Sequence, residues 1–145
     1  SGKIRFGIIG CGGIAARFAD ALRRSDCAEL YACAARDPEK ARAFAGAHGA
    51  EAACGSYEEL IRDERVQAVY IATVHTTHAA VARQCILAGK PVLSEKPFFV
   101  NGGEAAETIA LAREKGVLMM EGFWTRCQPA YLKAKEWIRE GRIGS

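Results

Sequence analysis

Short apolar segments alternate with helical patterns along the whole 145-residue chain, and this alternation is the feature that most constrains the fold. Strands are predicted to end before Gly10 and to cover 29–34, 52–54, 66–72, 91–94 and 117–120. Helices are predicted over 14–25, 38–48, a short segment after Ser56, 78–88, a segment from Asn101 to Lys115, and 129–140. Short strands separated by helices pair in parallel through right-handed crossovers. We therefore expect an α/β fold, a Rossmann-type doubly wound parallel sheet of about six strands with helices on both faces.

Capping residues mark several of these helix boundaries. Asp37-Pro38 and Asn101 have the chemistry of helix starts, and Ser56 with Glu59 forms a predicted capping box. Glycines such as Gly49 and Gly141 follow predicted helices and are expected to end them. The chain shows no internal repeat and no linker, so we expect residues 1–145 to form one domain.

Composition excludes several classes of partner. Hydrophobic residues make up 50% of the chain, charged residues 26%, and the net charge is only +3. Acidic and basic residues alternate over 133–140, which is typical of a solvated helix face and not of a nucleic-acid patch. No apolar run reaches membrane-spanning length, and no signal peptide precedes the first strand. We expect no nucleic-acid partner and no membrane.

The six cysteines form no Cys-x-x-Cys pair and stand mostly in apolar surroundings. Such cysteines are expected to be reduced thiols packed as small hydrophobic groups, rather than a disulfide framework or a zinc site. Reduced thiols indicate a reducing compartment, most simply the cytoplasm.

The first predicted strand runs into Gly10-x-Gly12-x-x-Ala15, and a helix follows at once. This order suits a turn that binds a dinucleotide. Gly10 would allow the tight turn, and Gly12 would let a pyrophosphate approach the backbone. Ala15 would let the helix pack closely on the strand, while the helix N-terminus offers free N–H groups to the phosphates. The alternative is a purely structural glycine turn.

The end of the second strand bears on the choice of cofactor. A cofactor without a 2′-phosphate usually meets an acidic residue there, whereas a 2′-phosphate favours a cation. In this chain Ala35 stands at the acidic place and Arg36 follows, with a guanidinium that can pair with a phosphate. Asp37 is a competing acidic candidate, but its place before Pro38 favours a helix cap. We expect NADP, with NAD as the alternative. A further alternative is that Arg36 is an ordinary exposed arginine with no role in cofactor binding.

Ligands of doubly wound sheets bind at the carboxyl ends of the strands. Segments 10–14, 35–37, 73–78 and 95–99 should therefore line one crevice. His75 and His78 have a His-x-x-His spacing that can bind a metal on a helix, but no further ligand cluster accompanies them, so no metal is expected.

Three segments give the chain its resemblance to a known family: Gly7 to Ala15, Ser94-Glu95-Lys96-Pro97, and 120–126. On these motifs the chain resembles the Gfo/Idh/MocA family of NAD(P)-dependent oxidoreductases over essentially its whole length. The third segment, with Trp124-Thr125-Arg126, is most similar to the branch of dihydrodiol and D-xylose dehydrogenases.

The resemblance implies roles for matching positions. It makes Lys96 the catalytic lysine beside the nicotinamide, where an ammonium group can stabilise a developing alkoxide. It makes Glu95 a group that orients Lys96 or the nicotinamide end. Together with the turn and the end of the second strand, it completes the expected set of cofactor-binding positions: Gly10, Gly12, Gly13, Ile14, Ala15, Ala35, Arg36, Thr73, His75, His78, Trp124 and Arg126. A helix-capping and packing role is the alternative for His78.

The resemblance also implies a second domain, which closes the substrate site and carries further catalytic groups beyond residue 145. We therefore expect a cofactor-binding domain of an NADP-dependent oxidoreductase that binds NADP but turns over substrate poorly by itself. The implied substrate is a small-molecule sugar, cyclitol, other polyol or diol oxidised at a secondary alcohol, and the whole protein is expected to be a homo-oligomer. Phe98, Phe99, Phe123 and Trp124 are expected to form an apolar patch on the face toward the second domain.

Two rival functions share this fold. A non-catalytic NAD(P)-sensing or regulatory module would bind the nucleotide, but it has no need of a cation such as Lys96 beside the nicotinamide. An S-adenosylmethionine-dependent methyltransferase also uses a glycine-rich first turn, but its ribose normally meets an acidic residue where this chain has Ala35-Arg36.

Overall fold

The computed structural model describes residues 2–143, and these form a single six-stranded parallel sheet flanked by helices. The strands are β1 (Ile4–Ile9), β2 (Ala28–Ala34), β3 (Ala52–Cys54), β4 (Ala68–Ile71), β5 (Val92–Ser94) and β6 (Met119–Glu121). The helices are α1 (Gly13–Arg23), α2 (Pro38–His48), α3 (Tyr57–Arg62), α4 (His78–Leu87), α5 (Gly102–Lys115) and α6 (Pro129–Arg139). Two short 3₁₀ turns, His75–Thr77 and Trp124–Cys127, precede α4 and α6.

The strand order is β3-β2-β1-β4-β5-β6, so the winding direction reverses between β1 and β4. The two central strands pair in parallel, with Ile8 opposite Tyr70 and Ile9 opposite Ile71. A sheet of this order has a crevice at the carboxyl ends of the strands where the direction reverses. The predicted doubly wound α/β fold is confirmed.

Two apolar clusters hold helices on the two faces of the sheet. On one face, Ile8 and Tyr70 pack against α1 and α2. On the other face, Ile9 and Ile71 pack against α3, α4 and α5. Successive strand residues point to opposite faces, so both faces of the central strands are apolar, as in other buried parallel sheets.

The predicted caps are confirmed with one adjustment. The Asp37, Ser56 and Asn101 side chains accept hydrogen bonds from the backbone N–H groups of Glu39, Glu59 and Glu104. Gly49 ends α2 in the left-handed conformation. In the capping box, however, the Glu59 carboxylate accepts from the N–H of Gly55 at 2.7 Å, one residue before the cap.

The last strand starts later than its sequence predicts. Gly116 ends α5, and the N–H of Val117 still donates to Ala112 of that helix. Residue 117 is therefore part of the helix terminus, and the strand covers Met119–Glu121 instead of 117–120. Similarly, β4 begins at Ala68 and not at residue 66.

The face that carries α1 is unevenly covered. Helices α1 and α2 pack over β1 and β2, whereas Met120 on β6 is 54% exposed. Helix α6 has no buried residue in the described chain, and its Leu132 and Ile138 are exposed. Within residues 2–143 no helix combines the length and the apolarity that a membrane crossing requires.

Candidate functional site

The glycine turn after β1 has the geometry that its sequence predicts. Gly10 has a φ of +96°, and a Cβ at this position would lie 2.7 Å from the backbone of Ala72. Any side chain would collide with the neighbouring strand end, so only glycine allows this close turn. A Cβ on Gly12, by contrast, would meet no protein atom within 4 Å. Open space therefore faces the Gly12 backbone at the mouth of the crevice.

Helix α1 presents its N-terminus to this space. Gly12 is its N-cap residue and supplies no side-chain hydrogen bond. The first intrahelical acceptor is the carbonyl of Gly12, which accepts from Ala16, so the N–H groups of 13–15 have no acceptor within the helix. Gly13 and Ile14 are exposed there, whereas Ala15 is fully buried against the sheet. Free donors and the positive end of the helix dipole favour an anion at this point.

A cleft of about 590 Å³ extends from the turn toward the end of β2. Gly10, Ala35, Arg36 and Thr73, all predicted cofactor positions, line it. The competing acidic residue, Asp37, also lines it, but its Oδ1 already accepts from the N–H of Glu39 at 3.0 Å. Asp37 is thus used as a helix cap, whereas the exposed side chain of Arg36 at the end of β2 has no capping role.

Sequence reasoning missed two further residues of this cleft, Lys40 and Tyr57. Lys40 lies in the first turn of α2, four residues after Arg36, and both cations line the same cleft. A lysine in the first turn of α2 opposes the helix dipole, and this local conflict was the available signal. Burial raises the pKa of Tyr57, and the neighbouring Arg36 cation opposes that rise. No comparable signal in the sequence marks Tyr57, which lies at the start of α3.

A second cavity, of about 400 Å³, lies on the other side of Thr73. It is lined by Ile14, Thr73, Val74, His75, His78, Glu95, Lys96 and Pro97. The predicted catalytic lysine and the loop after β4 are therefore brought together. Lys96 and His75 are exposed there.

The Glu95 carboxylate holds the backbone of the lysine loop. Its Oε1 accepts a hydrogen bond from the Tyr70 hydroxyl at 2.5 Å, and its Oε2 accepts from the N–H of Lys96 at 3.2 Å. Burial, and next the bond to Glu95, raises the pKa of Tyr70, so this phenol stays protonated and donating. Glu95 therefore orients the loop through Tyr70, a partner that the sequence alone did not suggest.

His78 is 1% exposed and lines the second cavity. Nδ1 lies 2.9 Å from the carbonyl of Pro97, and Nε2 lies 3.0 Å from the carbonyl of Thr73. The ring therefore connects the loop after β4 to the loop after β5, which favours the packing alternative. Direct cofactor contact through the ring stays a prediction.

The predicted aromatic patch is only half correct. Phe98 is 4% exposed and stacks on Phe99 against the core, because the N–H of Phe98 donates to Glu121 at 2.9 Å and turns the segment inward. Phe123 and Trp124 are 48% and 66% exposed. Trp124 lines an apolar cavity of about 520 Å³ beside α1, while Arg126 is exposed and lines none of the cavities described here.

Within residues 2–143 no three His, Cys, Asp or Glu side chains are placed to hold a metal ion. The donor set of the crevice suits a different ligand: backbone N–H groups, open space at a glycine, and two cations at the far end of one cleft. These features fit a dinucleotide with its pyrophosphate at the turn. A crevice of this kind defines a nucleotide-binding doubly wound α/β domain.

The chain belongs to the Gfo/Idh/MocA family of oxidoreductases. The family model described as "Oxidoreductase family, NAD-binding Rossmann fold" matches residues 4–123. The resemblance predicted from the motifs is therefore confirmed.

Named enzymes and solved structures match nearly the whole of this chain. Trans-1,2-dihydrobenzene-1,2-diol dehydrogenase from Bos taurus is 41% identical over 143 residues, which is 97% of this chain and 43% of that protein. The crystal structure of an NAD binding oxidoreductase from Klebsiella pneumoniae matches with a TM-score of 0.91 and 37% identity, over 98% of this chain and 40% of that one. KijD10, a 3-ketoreductase from Actinomadura kijaniata in complex with NADP, matches with a TM-score of 0.90 and 34% identity, over 99% of this chain and 46% of that one. The chain thus spans less than half the length of these relatives.

Proposed function

We propose that this chain is the cofactor-binding domain of an NADP-dependent oxidoreductase, which transfers a hydride between the nicotinamide and a secondary alcohol of a diol, sugar or cyclitol. The observation that carries the proposal is the shared cleft of the glycine turn and Arg36. Family membership supports the redox class, and the named relatives include a diol dehydrogenase and an NADP-bound ketoreductase.

Charge at the far end of the cleft favours NADP over NAD. Arg36 and Lys40 line it together, and Asp37, the carboxylate among the described residues that line this cleft, is hydrogen-bonded as a helix cap. A planar guanidinium can bind a phosphate through two parallel hydrogen bonds, and the lysine adds a second positive charge. A bound 2′-phosphate would thus meet two cations.

At the reacting end, the residues of this chain would position and polarise the substrate oxygen. A bound nicotinamide supplies the hydride acceptor. The Lys96 ammonium, which lines the second cavity, would stabilise the alkoxide that develops as the alcohol loses its proton. Glu95, held by Tyr70, fixes the backbone at Lys96, and His78 fixes the neighbouring Pro97 and Thr73 carbonyls.

We further propose that residues beyond 145 form the domain that closes the substrate site and supplies the remaining acid–base groups. The exposed side chains of Met120 on β6 and of Phe123 and Trp124 after it support a covering segment there. The small-molecule substrate, the homo-oligomeric state and a reducing, cytoplasmic location belong to this proposal for the whole protein; the free cysteines of the described chain are consistent with such a location.

Calorimetric titration with NADP and, separately, NAD tests the cofactor assignment. NADP is expected to bind more tightly. Arg36→Ala and Lys40→Ala should each weaken NADP binding by about tenfold, the equivalent of one charge-assisted contact, while NAD binding changes little. Lys115→Ala, at the far end of α5, is the matched control and should leave both affinities unchanged.

The proposal fails if NAD binds more tightly than NADP, or if Arg36→Ala weakens both nucleotides equally. Absence of binding by either nucleotide, in a sample folded by circular dichroism, would contradict the assignment of the glycine turn as a complete phosphate site. A sensing module would instead bind NADP normally while the extended protein, with its second domain, shows no hydride transfer to any polyol.

A further inference from the structure

Strand β6 forms one edge of the sheet and is paired with β5 alone. The ladder between these strands uses every second residue of β6. The carbonyl of Leu118 and the N–H of Gly122 both bond to β5, at 2.9 and 2.7 Å. Met119 and Glu121 therefore turn their backbone N–H groups away from β5. Among residues 2–143 neither of these two N–H groups has an acceptor.

The free backbone groups of this edge are complementary to themselves. The N–H of Val117 donates to Ala112 at 2.9 Å, and the carbonyl of Glu121 accepts from Phe123 at 2.8 Å. Along 117–121 of the described chain, the groups left free are both groups of Met119, the carbonyl of Val117 and the N–H of Glu121. When two copies run antiparallel with Met119 opposite Met119, Glu121 of each lies opposite Val117 of the other. In this register every free N–H meets a free carbonyl.

The side chains along the edge are apolar and exposed in the single chain. Leu118 is 70% exposed and Met120 is 54% exposed. In the antiparallel register Leu118 of one copy lies opposite Met120 of the other, and by symmetry this contact occurs twice. Residues 117–120 contain neither lysine nor proline, two residues with which open sheet edges block pairing with another chain.

Charges beside the edge also match in this register. Arg113 on α5 and Glu121 on β6 line one groove of about 680 Å³. Within residues 2–143 neither side chain takes part in an ion pair. Pairing about Met119 brings Glu121 of the second copy opposite Val117, next to the end of α5 that carries Arg113. Each copy thus offers a cation where the other offers a carboxylate.

We propose that β6 is an interface between two copies of this chain, which pair antiparallel about Met119 and join their sheets into one continuous sheet. A second copy is the occupant because the free donors, the free acceptors and the two charges complement themselves, as a twofold interface requires. Strand β6 has only three residues, so we expect a dissociation constant of about 10–100 μM. The inference gives the proposed homo-oligomer a place on the fold, but it depends on no residue of the nucleotide site.

Sedimentation velocity of the 145-residue chain, at concentrations from about 1 to 300 μM, tests the inference. Met119→Pro removes the N–H at the centre of the pairing and no bond to β5, so it should weaken dimerisation by about tenfold or more. Met119→Leu keeps that N–H and is the matched control, which should dimerise like the parent chain. A parent chain that stays monomeric over this range, or a proline variant that dimerises like the leucine variant, would overturn the inference.

Leu118→Lys keeps the test decisive if the proline variant does not fold. The Leu118 side chain is 70% exposed, and its backbone bond to β5 is unaffected by the substitution. A lysine here should weaken dimerisation by about tenfold or more. Leu132→Lys, at an exposed leucine of α6, is the matched control. Loss of the dimer in Leu132→Lys and not in Leu118→Lys would locate the interface on α6 and contradict the inference.

A reversal of charge at Arg113 tests the register. Arg113→Glu should weaken dimerisation by about fivefold, and Glu121→Gln in the same chain should restore part of that loss, because the repulsion between carboxylates is removed. Arg24→Glu makes the same change of charge at the exposed end of α1 and is the control. Equal weakening by Arg113→Glu and Arg24→Glu would contradict the register.

Amide hydrogen exchange locates the contact within the sheet. As the concentration rises, exchange of the Met119 and Glu121 amides should slow by at least about threefold, because both become hydrogen-bonded in the dimer. The Gly122 amide already donates to Ser94 and should change little. Slowing at Gly122 alone would contradict the proposed pairing.

A polypeptide extended beyond residue 145 distinguishes a second copy from another occupant of the edge. Met119→Pro should weaken self-association of the extended protein as well. If it does so in the short chain only, another part of the longer protein covers β6 and the inference is wrong. NADP titration of Met119→Pro should match the parent chain, so loss of the dimer and failure of the proposed function are separate results.

Discussion

The two ends of the crevice are built differently, although they share Thr73. At the adenine end, the glycine turn, α1 and the end of β2 are consecutive in the chain and packed under two helices. At the reacting end, Lys96 lies on a loop held by long-range contacts from Tyr70 and His78. Met120 on β6 and Trp124 in the following 3₁₀ turn stay exposed beside it. The comparison supports the proposal that these residues hold the phosphates by themselves, whereas the hydride transfer would need residues outside them.

The largest expected difference is in turnover. With NADP and a vicinal diol, the 145-residue chain should show a rate about 10²–10⁴-fold below that of a polypeptide extended to include the second domain, because positioned acid–base groups supply about that factor. Nicotinamide absorbance measures both rates. Equal turnover by the short chain would show that the reacting end needs no residues outside this chain, and would contradict the proposed difference between the two ends.

The two glycines of the turn offer the next contrast. Gly10→Ala should destabilise the fold by about 3 kcal/mol, since it combines a left-handed backbone with a contact at 2.7 Å. Gly12→Ala should change stability by no more than about 1 kcal/mol, because its Cβ meets only open space. Urea unfolding measures both variants.

Gly12→Ala should affect nucleotide affinity more than stability: NADP binding is expected to weaken by about tenfold or more while the fold stays intact. Unchanged affinity in Gly12→Ala would mean that the pyrophosphate does not approach this backbone. It would contradict the proposal that the glycine turn forms the phosphate site.

At the reacting end, Tyr70→Phe should loosen the lysine loop and cost about 1 kcal/mol of stability, since Glu95 loses a hydrogen-bond donor. The sensitive readout is hydrogen exchange of the Lys96 amide, which donates to the same carboxylate. Tyr31→Phe is the matched control, because its hydroxyl donates to Asp63 at the other end of the sheet. Faster Lys96 exchange in both variants would show a global effect and no specific link.

An effect on stability of similar size, with no expected effect on nucleotide binding, concerns an ion pair remote from the crevice. Arg65, through hydrogen bonds and charge, lowers the pKa of Asp63 from its ordinary 3.8 to about 2. A lowered carboxylate pKa adds stability above the unfolded value, and this is lost as the pH falls from about 4 through 2. Asp63→Asn should therefore cost about 1 kcal/mol at pH 7 and less as the pH drops below 4. A gap in unfolding free energy that widens toward acid would contradict the assignment; Asp20→Asn, at an exposed pair, is the control.

Local signals were sufficient for the fold and for the glycine turn and Arg36 at the adenine end, but not for Lys40 and Tyr57. Asp37, Ser56 and Asn101 cap the helices that their spacing predicts, because a cap depends only on residues within one turn. Gly10 occupies the strained turn for the same local reason. The doubly wound α/β class also follows from the alternation of elements, since right-handed crossovers leave few alternatives, whereas the strand order β3-β2-β1-β4-β5-β6 was established by the structure.

Long-range contacts decided what the sequence did not reveal. The Tyr70–Glu95 hydrogen bond joins residues 25 apart, and His78 reaches Pro97 across two loops. Phe98 turned inward because Glu121 on β6 accepts from its N–H. The two 3₁₀ turns and the late start of β6 likewise depend on how neighbouring elements end, and no period in the sequence encodes them.

The most direct test of the difference between the two ends compares NADP with 2′-phospho-ADP-ribose, which lacks only the nicotinamide, by calorimetric titration of this chain. If the adenine end is complete and the reacting end is not, the two ligands should bind within about threefold of each other, since the nicotinamide adds little free energy. NADP binding tighter than the fragment by more than about tenfold would show that the nicotinamide pocket is already formed within these residues, and would contradict the account.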